Sequence, residues 1–95
     1  MNSNIYRFST RDGVKYITQN GETIPSLLGQ HGWGWYGRIT RHTAMCILAY
    51  EYGYETAHMY ANRFAREYLA EMTCDEFVWT SGAIAYMIDR LERTQ

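Results

Sequence analysis

Several features that would assign a small protein quickly are missing from this chain. Its two cysteines, Cys46 and Cys74, fall in neither a CxxC nor a Cys/His spacing, so neither a disulfide framework nor a structural zinc site is encoded. No apolar run approaches the roughly 18–20 residues of a membrane span. Met1-Asn2-Ser3-Asn4 lacks the basic-then-apolar plan of a secretory leader, and a cytoplasmic protein is expected. Neither G-x-G-x-x-G nor G-x-x-x-x-G-K-[ST] is present. Ser81-Gly82 lacks the flanking glycine elbow of a hydrolase. His42 and Cys46 stand four apart and would share a helix face, but two ligands do not make a metal site. A Cys–His nucleophile would also need a third, orienting group. A non-enzymatic protein without metal or cofactor is the expectation.

What is present is aromatic. Fifteen of 95 residues are Phe, Trp or Tyr, nine of them Tyr, within a chain that is 46% hydrophobic; this supports one domain around one core. The net charge of −1 conceals an asymmetry. Through Arg41 there are five basic residues (Arg7, Arg11, Lys15, Arg38, Arg41) against two acidic ones, whereas from His42 onward eight acidic residues face four arginines. Such a dipolar surface can steer a partner.

Two short aromatic and β-branched runs, Ile5–Ser9 and Val14–Gln19, are separated by Arg11-Asp12-Gly13, and Asn20-Gly21 leads to Glu22-Thr23-Ile24 before Pro25. Asp-Gly and Asn-Gly are strong hairpin signals, so a three-stranded meander is predicted. Tyr6, Phe8, Val14 and Tyr16 are expected on one face, with Ile5 and Ile17 on the other. From Arg41 the period changes to three and four. Ala44, Met45, Leu48, Ala49 and Tyr52 predict a helix with Thr40 as its N-cap and Gly53 as its stop. Ala57, Ala61, Phe64, Ala65, Tyr68 and Met72 predict a second helix, joined to the first as an antiparallel hairpin. Thr73 to Glu76 matches a capping box, yet Phe77–Thr80 reads better as a strand returning to the sheet. A last helix follows, capped by Thr80 or Ser81. The fold class is therefore α+β: a small antiparallel sheet packed on a helical hairpin and a C-terminal helix.

Between strands and helices lies Gly29–Gly37, with four glycines, two tryptophans and a tyrosine. Trp33-Gly34-Trp35-Tyr36-Gly37, running into Ala44–Leu48, resembles a family of small domains carried by bacteria, plasmids and phages. Members of that family have a DG or NG hairpin, then a Trp-Gly-Tyr-Gly-Gly-Ser-Gly-Pro segment. An alanine- and leucine-rich helix, a second helix with spaced aromatics, and a Trp-x-Leu/Thr strand follow. Tyr60, Phe64 and Trp79-Thr80 stand where the later features fall, so the resemblance spans about Ile5 to Ile88. The family's Ser-Gly-Pro is Arg38-Ile39-Thr40 here, and Tyr36 replaces a glycine. Carriage on mobile elements implies an inhibitor that binds a host complex, such as a defence system, and blocks it sterically.

The residues themselves point the same way, since Trp, Tyr, Met and Arg are enriched at interface hot spots. The expected contact residues are Trp33, Trp35, Tyr36, Arg38 and Arg41, with Tyr54 at the helix turn. A protein partner is expected, and a homodimer through a sheet edge or an aromatic face is compatible with the same residues. The alternative is a nucleotide or single-strand module, with Trp33 and Trp35 stacking on bases and Arg38 and Arg41 on phosphate. Arg7, Arg11 and Lys15 would extend that footprint.

Overall fold

The type I′ geometry of two turns fixes the sheet. A computed structural model describes residues 2–94 and begins with β1 (Ile5–Arg11), β2 (Val14–Gln19) and β3 (Glu22–Thr23). Asp12 and Gly13, and then Asn20 and Gly21, all have positive φ, as two-residue hairpin turns require. A loop carries the chain to α1 (Arg38–Tyr52) and α2 (Tyr54–Glu67), and a 3₁₀ turn over Leu69–Glu71 follows. The chain ends with β4 (Phe77–Thr80) and α3 (Ser81–Arg93). All strand pairs are antiparallel in the order β3-β2-β1-β4, so the last strand returns beside the first, as the sequence predicts. Helices and sheet share one hydrophobic cluster, and the protein is a small α+β domain.

The two-residue turn corrects the predicted faces of the sheet. Arg11 pairs with Val14, which sets Phe8 opposite Ile17 and Tyr6 opposite Gln19. Side chains alternate along a strand, so Ile17 joins Tyr6 and Phe8 in the core, together with Trp79 and Phe77 of β4. Val14 and Tyr16 project outward with Ile5 and Val78, and all four are exposed.

α1 starts three residues earlier than predicted. Gly37 is its N-cap, and Thr40 lies inside the helix, where its hydroxyl donates to the Trp35 carbonyl at 2.7 Å. The buried face of α1 is Thr40, Thr43, Ala44, Ile47, Leu48 and Glu51. Met45 and Ala49 are only partly buried, and Tyr52 is exposed. Gly53 separates the two helices as a single residue with φ of 95° and donates to the Ala49 carbonyl. α2 buries Ala57, Tyr60, Ala61, Phe64 and Ala65, and the three alanines leave little between it and α1. The predicted stripe continued to Met72, but the helix ends at Glu67. The Leu69 carbonyl accepts from Gly34 N–H at 2.9 Å as well as from Met72 N–H at 3.2 Å, so the chain tightens here to hold the loop. Thr80 caps α3, its hydroxyl accepting from Ala83 N–H at 3.1 Å. No helix among the described residues is long and apolar enough to cross a membrane.

Candidate interaction surface

The glycine-aromatic loop is locked in place from below. His31 is buried; its Nε2–H donates to the Ile24 carbonyl at 2.8 Å, leaving Nδ1 to face the Thr43 hydroxyl at 3.4 Å. The same hydroxyl oxygen accepts from Gly32 N–H at 2.9 Å. Burial lowers the imidazole pKa below its usual 6.5, although the Ile24 contact opposes this, and the network suits a neutral ring. Because the folded state resists protonation, stability should fall as pH drops below 6.5. An NMR titration following the His31 ring should show its midpoint below 6.5.

Trp33 points into the core and is only 3% exposed. Its ring meets Phe8 and Phe77 edge-on at 5.5 and 5.3 Å, and its Nε1–H donates to the Cys74 carbonyl at 3.0 Å. Trp33 is thus a core residue, against the expectation that it contacts a partner. Trp35 is 48% exposed and lies flat over the loop's own glycines. A Cβ on Gly37 would stand 2.5 Å from the Trp35 ring, and one on Gly32 would stand 3.3 Å from it. Here glycine serves close approach.

Tyr36 is exposed and stands between two guanidinium groups. Arg41 of α1 lies 5.5 Å from its ring centroid and Arg66 of α2 lies 5.9 Å away. Arg38 is exposed in the first turn of the same helix, whose N-terminus has no side-chain cap and no acidic residue. Among the described residues, no carboxylate lies within 4.0 Å of Arg38, Arg41 or Arg66. Two cations and a tyrosine therefore form one patch, with the half-exposed Trp35 next to it in the chain, while Arg38 lies one helical turn before His42 and acts on that imidazole. Sequence reasoning missed Arg66, because nothing in the chain order places α2 beside the loop. The off-stripe position of Arg66 in the second helix was the available signal.

Tyr54 is not part of that patch. It lies at the far end of α1, where it borders an apolar groove of about 210 Å³ with Pro25, Leu27, Met45, Ala49 and Tyr50. His42 Nε2 in this groove accepts from Leu27 N–H at 3.1 Å, and Cys46 Sγ lies 3.4 Å from the same nitrogen. Burial pushes the thiol pKa up, and burial together with Arg38 pushes the imidazole pKa down. The pair is uncharged at neutral pH, and its geometry pins the Leu27 loop to α1. The described residues contain no group of three or more His, Cys, Asp or Glu side chains able to share a metal ion.

A second cluster escaped the sequence reading entirely. Glu51, 6% exposed, accepts from Tyr6 Oη–H at 2.7 Å, from Asn4 Nδ2–H at 3.0 Å and from Asn2 Nδ2–H at 3.0 Å. Gln19 donates to the Tyr6 oxygen at 3.0 Å, and Ser81 Oγ accepts from Asn4 N–H at 2.7 Å. Burial alone would raise the Glu51 pKa, but the hydrogen bonds from Asn4, Tyr6, Ser81 and Asn2 together hold it below the usual carboxylate value. No cation within 4.0 Å balances this charge among the described residues. The arrangement ties the N-terminal strand to α1 and to the start of α3.

Compared with family models, with curated proteins and with solved structures, the chain matches none.

Proposed function

We propose that this protein is a non-enzymatic interaction module that binds a macromolecular partner and blocks it by occlusion, with the Trp35-Tyr36-Arg38-Arg41-Arg66 patch as its contact surface. The observation that carries this reading is Tyr36 held between Arg41 and Arg66, with no carboxylate paired to either guanidinium. Arginines that fold against carboxylates are already satisfied. Arginines stacked on an exposed tyrosine stay oriented and ready for an incoming acid. The matching partner surface is an acidic protein face, and the resemblance to domains of mobile elements supports an inhibitory role against a host complex.

The single-strand reading keeps one observation in its favour, since the same patch offers an aromatic face beside Arg41 and Arg66. A charge-reversed double variant separates the two. Arg38→Glu with Arg66→Glu should keep the fold, because both side chains are exposed. For the protein reading, a partner identified by mass spectrometry should bind the unaltered chain stoichiometrically and lose about thirtyfold or more in affinity to the variant. A fluorescein-labelled oligothymidine should then bind neither. If the oligonucleotide binds the unaltered chain with a steep salt dependence and the variant does not, the nucleic-acid reading takes its place.

A further inference from the structure

Helix α1 is apolar on two sides. Thr43, Ala44, Ile47 and Leu48 are buried against the core, whereas Met45, Cys46, Ala49 and Tyr50 form a second stripe that reaches solvent. A helix that packs on one core needs only the first. The second stripe forms a wall of the apolar groove that Pro25, Leu27 and Tyr54 complete. No aspartate, glutamate, lysine or arginine lines this groove, and the His42–Cys46 pair within it is uncharged at neutral pH.

Three large side chains stand out along the groove: Leu27 is 85% exposed, Tyr54 69% and Tyr50 48%. One exposed leucine is ordinary, but three such groups along one helix make a continuous apolar surface. Its two ends differ in charge. Arg38, one turn before His42 and acting on that imidazole, is exposed at one end. At the other end Glu55 follows Tyr54 and is also exposed. Neither has an ion-pair partner within 4.0 Å among the described residues. α1 has no acidic residue in its first turn and no basic residue in its last, so both ends of its dipole are uncompensated.

We infer that this side of α1 is the contact between two copies of the chain, with the two α1 helices packed antiparallel about a two-fold axis at Cys46. An isologous contact needs a surface that complements itself. An axis at Cys46 brings His42 opposite the partner's Tyr50, and Arg38 opposite the partner's Tyr54 and Glu55. The basic end of each helix thus meets the acidic end of the other, and the two helix dipoles oppose. Leu27, whose N–H is bonded to His42, projects at the same end toward the partner's Tyr50 and Tyr54, so each copy supplies both ridge and groove. Small Cys46 and Ala49 at the centre let the helix axes approach to about 8 Å. A foreign helix of one charge would satisfy one end of the surface and be repelled at the other. The contact is a single helix face, so a weak dimer with a Kd of about 20–100 µM is expected. This inference goes beyond the arginine-patch reading and does not depend on it.

The test is sedimentation equilibrium of the full chain from about 5 to 500 µM, which should show a monomer–dimer equilibrium. Reductant is present throughout, because Cys46 and Cys74 are free thiols. In ¹⁵N-labelled protein, dilution should move the amide resonances of Leu27, Met45, Cys46, Ala49 and Tyr50. Leu27→Glu changes a side chain that already stands in solvent, so the monomer should keep its fold while dimerisation weakens about twentyfold. Arg38→Glu and Glu55→Arg should each weaken it about tenfold, since each turns two symmetry-related attractions into repulsions. Combining the two restores opposite charges across the axis and should return the dimer constant to within about threefold. Only the antiparallel arrangement predicts that rescue. Arg66→Glu removes a cation beside Tyr36 and should leave the dimer constant unchanged, so failure here and failure of the arginine patch are read separately. A chain that stays monomeric at the highest concentration overturns the inference. So does a dimer indifferent to Leu27→Glu, a charge swap that rescues nothing, or dilution shifts confined to Tyr36, Arg41 and Arg66.

Discussion

Glu51→Leu should destabilise the protein by about 3–4 kcal/mol, because buried Tyr6 and half-buried Asn4 lose their acceptor together, along with Asn2. Tyr6 Oη–H, Asn4 Nδ2–H and Asn2 Nδ2–H all converge on one carboxylate, and the apolar replacement offers none of them a partner. A loss of that size is a large share of the 5–15 kcal/mol typical of a domain, so the urea midpoint should fall steeply with little change in slope. Glu51→Gln retains the shape and one acceptor oxygen, but sets an amide N–H₂ against the asparagine donors; it should cost about half as much. The same site gives an acid limb to the stability curve. The hydrogen bonds hold the folded carboxyl below its ordinary value of 4.5, so the folded state binds fewer protons than the unfolded one there. Stability from Glu51 is complete above pH 4.5 and is lost as pH falls through the lower folded value. Glu51→Gln should flatten that limb. A variant with an unchanged acid limb would mean that the carboxylate is not the group whose protonation unfolds the sheet.

The Glu51 cluster also explains how far the fold was legible. Apolar periodicity located every helix, and the Asp-Gly and Asn-Gly pairs located both hairpin turns. Counting apolar residues nevertheless rotated α1. Hydropathy puts Met45, Ala49 and Tyr52 in the inward stripe with Ala44 and Leu48, whereas the helix buries Thr40, Thr43 and Glu51 along with Ala44, Ile47 and Leu48. Each of those polar residues is buried because a distant segment supplies its partner: Trp35 for Thr40, Gly32 for Thr43, and Tyr6 with two asparagines for Glu51. Periodicity ranks residues by hydropathy and cannot weigh partners that arrive from elsewhere in the chain. The sheet faces failed for a related reason. Val14 is nearly as apolar as Ile17 and Tyr16 carries a large ring, so hydropathy alone does not choose the face; the turn length, two residues rather than three, decides which of them points inward.

The candidate surface was legible in the same partial way. Tyr36 and Arg41 are close enough in sequence that one helix start can bring them together, and Arg41 does lie 5.5 Å from the Tyr36 ring centroid; Arg38 is exposed in the same first turn. Arg66 and Lys15 reach the loop only through tertiary contacts, on α2 and on β2. Tyr54, at the helix turn, lies apart from the patch, on the groove with Pro25, Leu27 and Met45.

Trp33 and Trp35, two residues apart and equally prominent in the sequence, should therefore give opposite phenotypes. Trp33→Ala removes a ring wedged between Phe8, Phe77 and the Lys15 ammonium, and orphans the Cys74 carbonyl. Its expected cost is about 3–5 kcal/mol, the usual range for a buried aromatic truncated to alanine. Trp35→Ala removes a half-exposed ring that rests on glycines and should cost about 1–2 kcal/mol, with the loop still held by His31 and by the Gly34 contact to Leu69. Chemical denaturation of both variants measures this difference directly. For binding the order reverses once the fold is controlled. At a urea-free temperature where both variants remain folded, Trp35→Ala should lose the partner, because its half-exposed ring lies beside Tyr36 of the arginine patch. Trp33→Ala should bind in proportion to its folded fraction. If Trp35→Ala binds like the unaltered chain while Trp33→Ala fails even when folded, the contact surface lies elsewhere, and the loop serves the core alone.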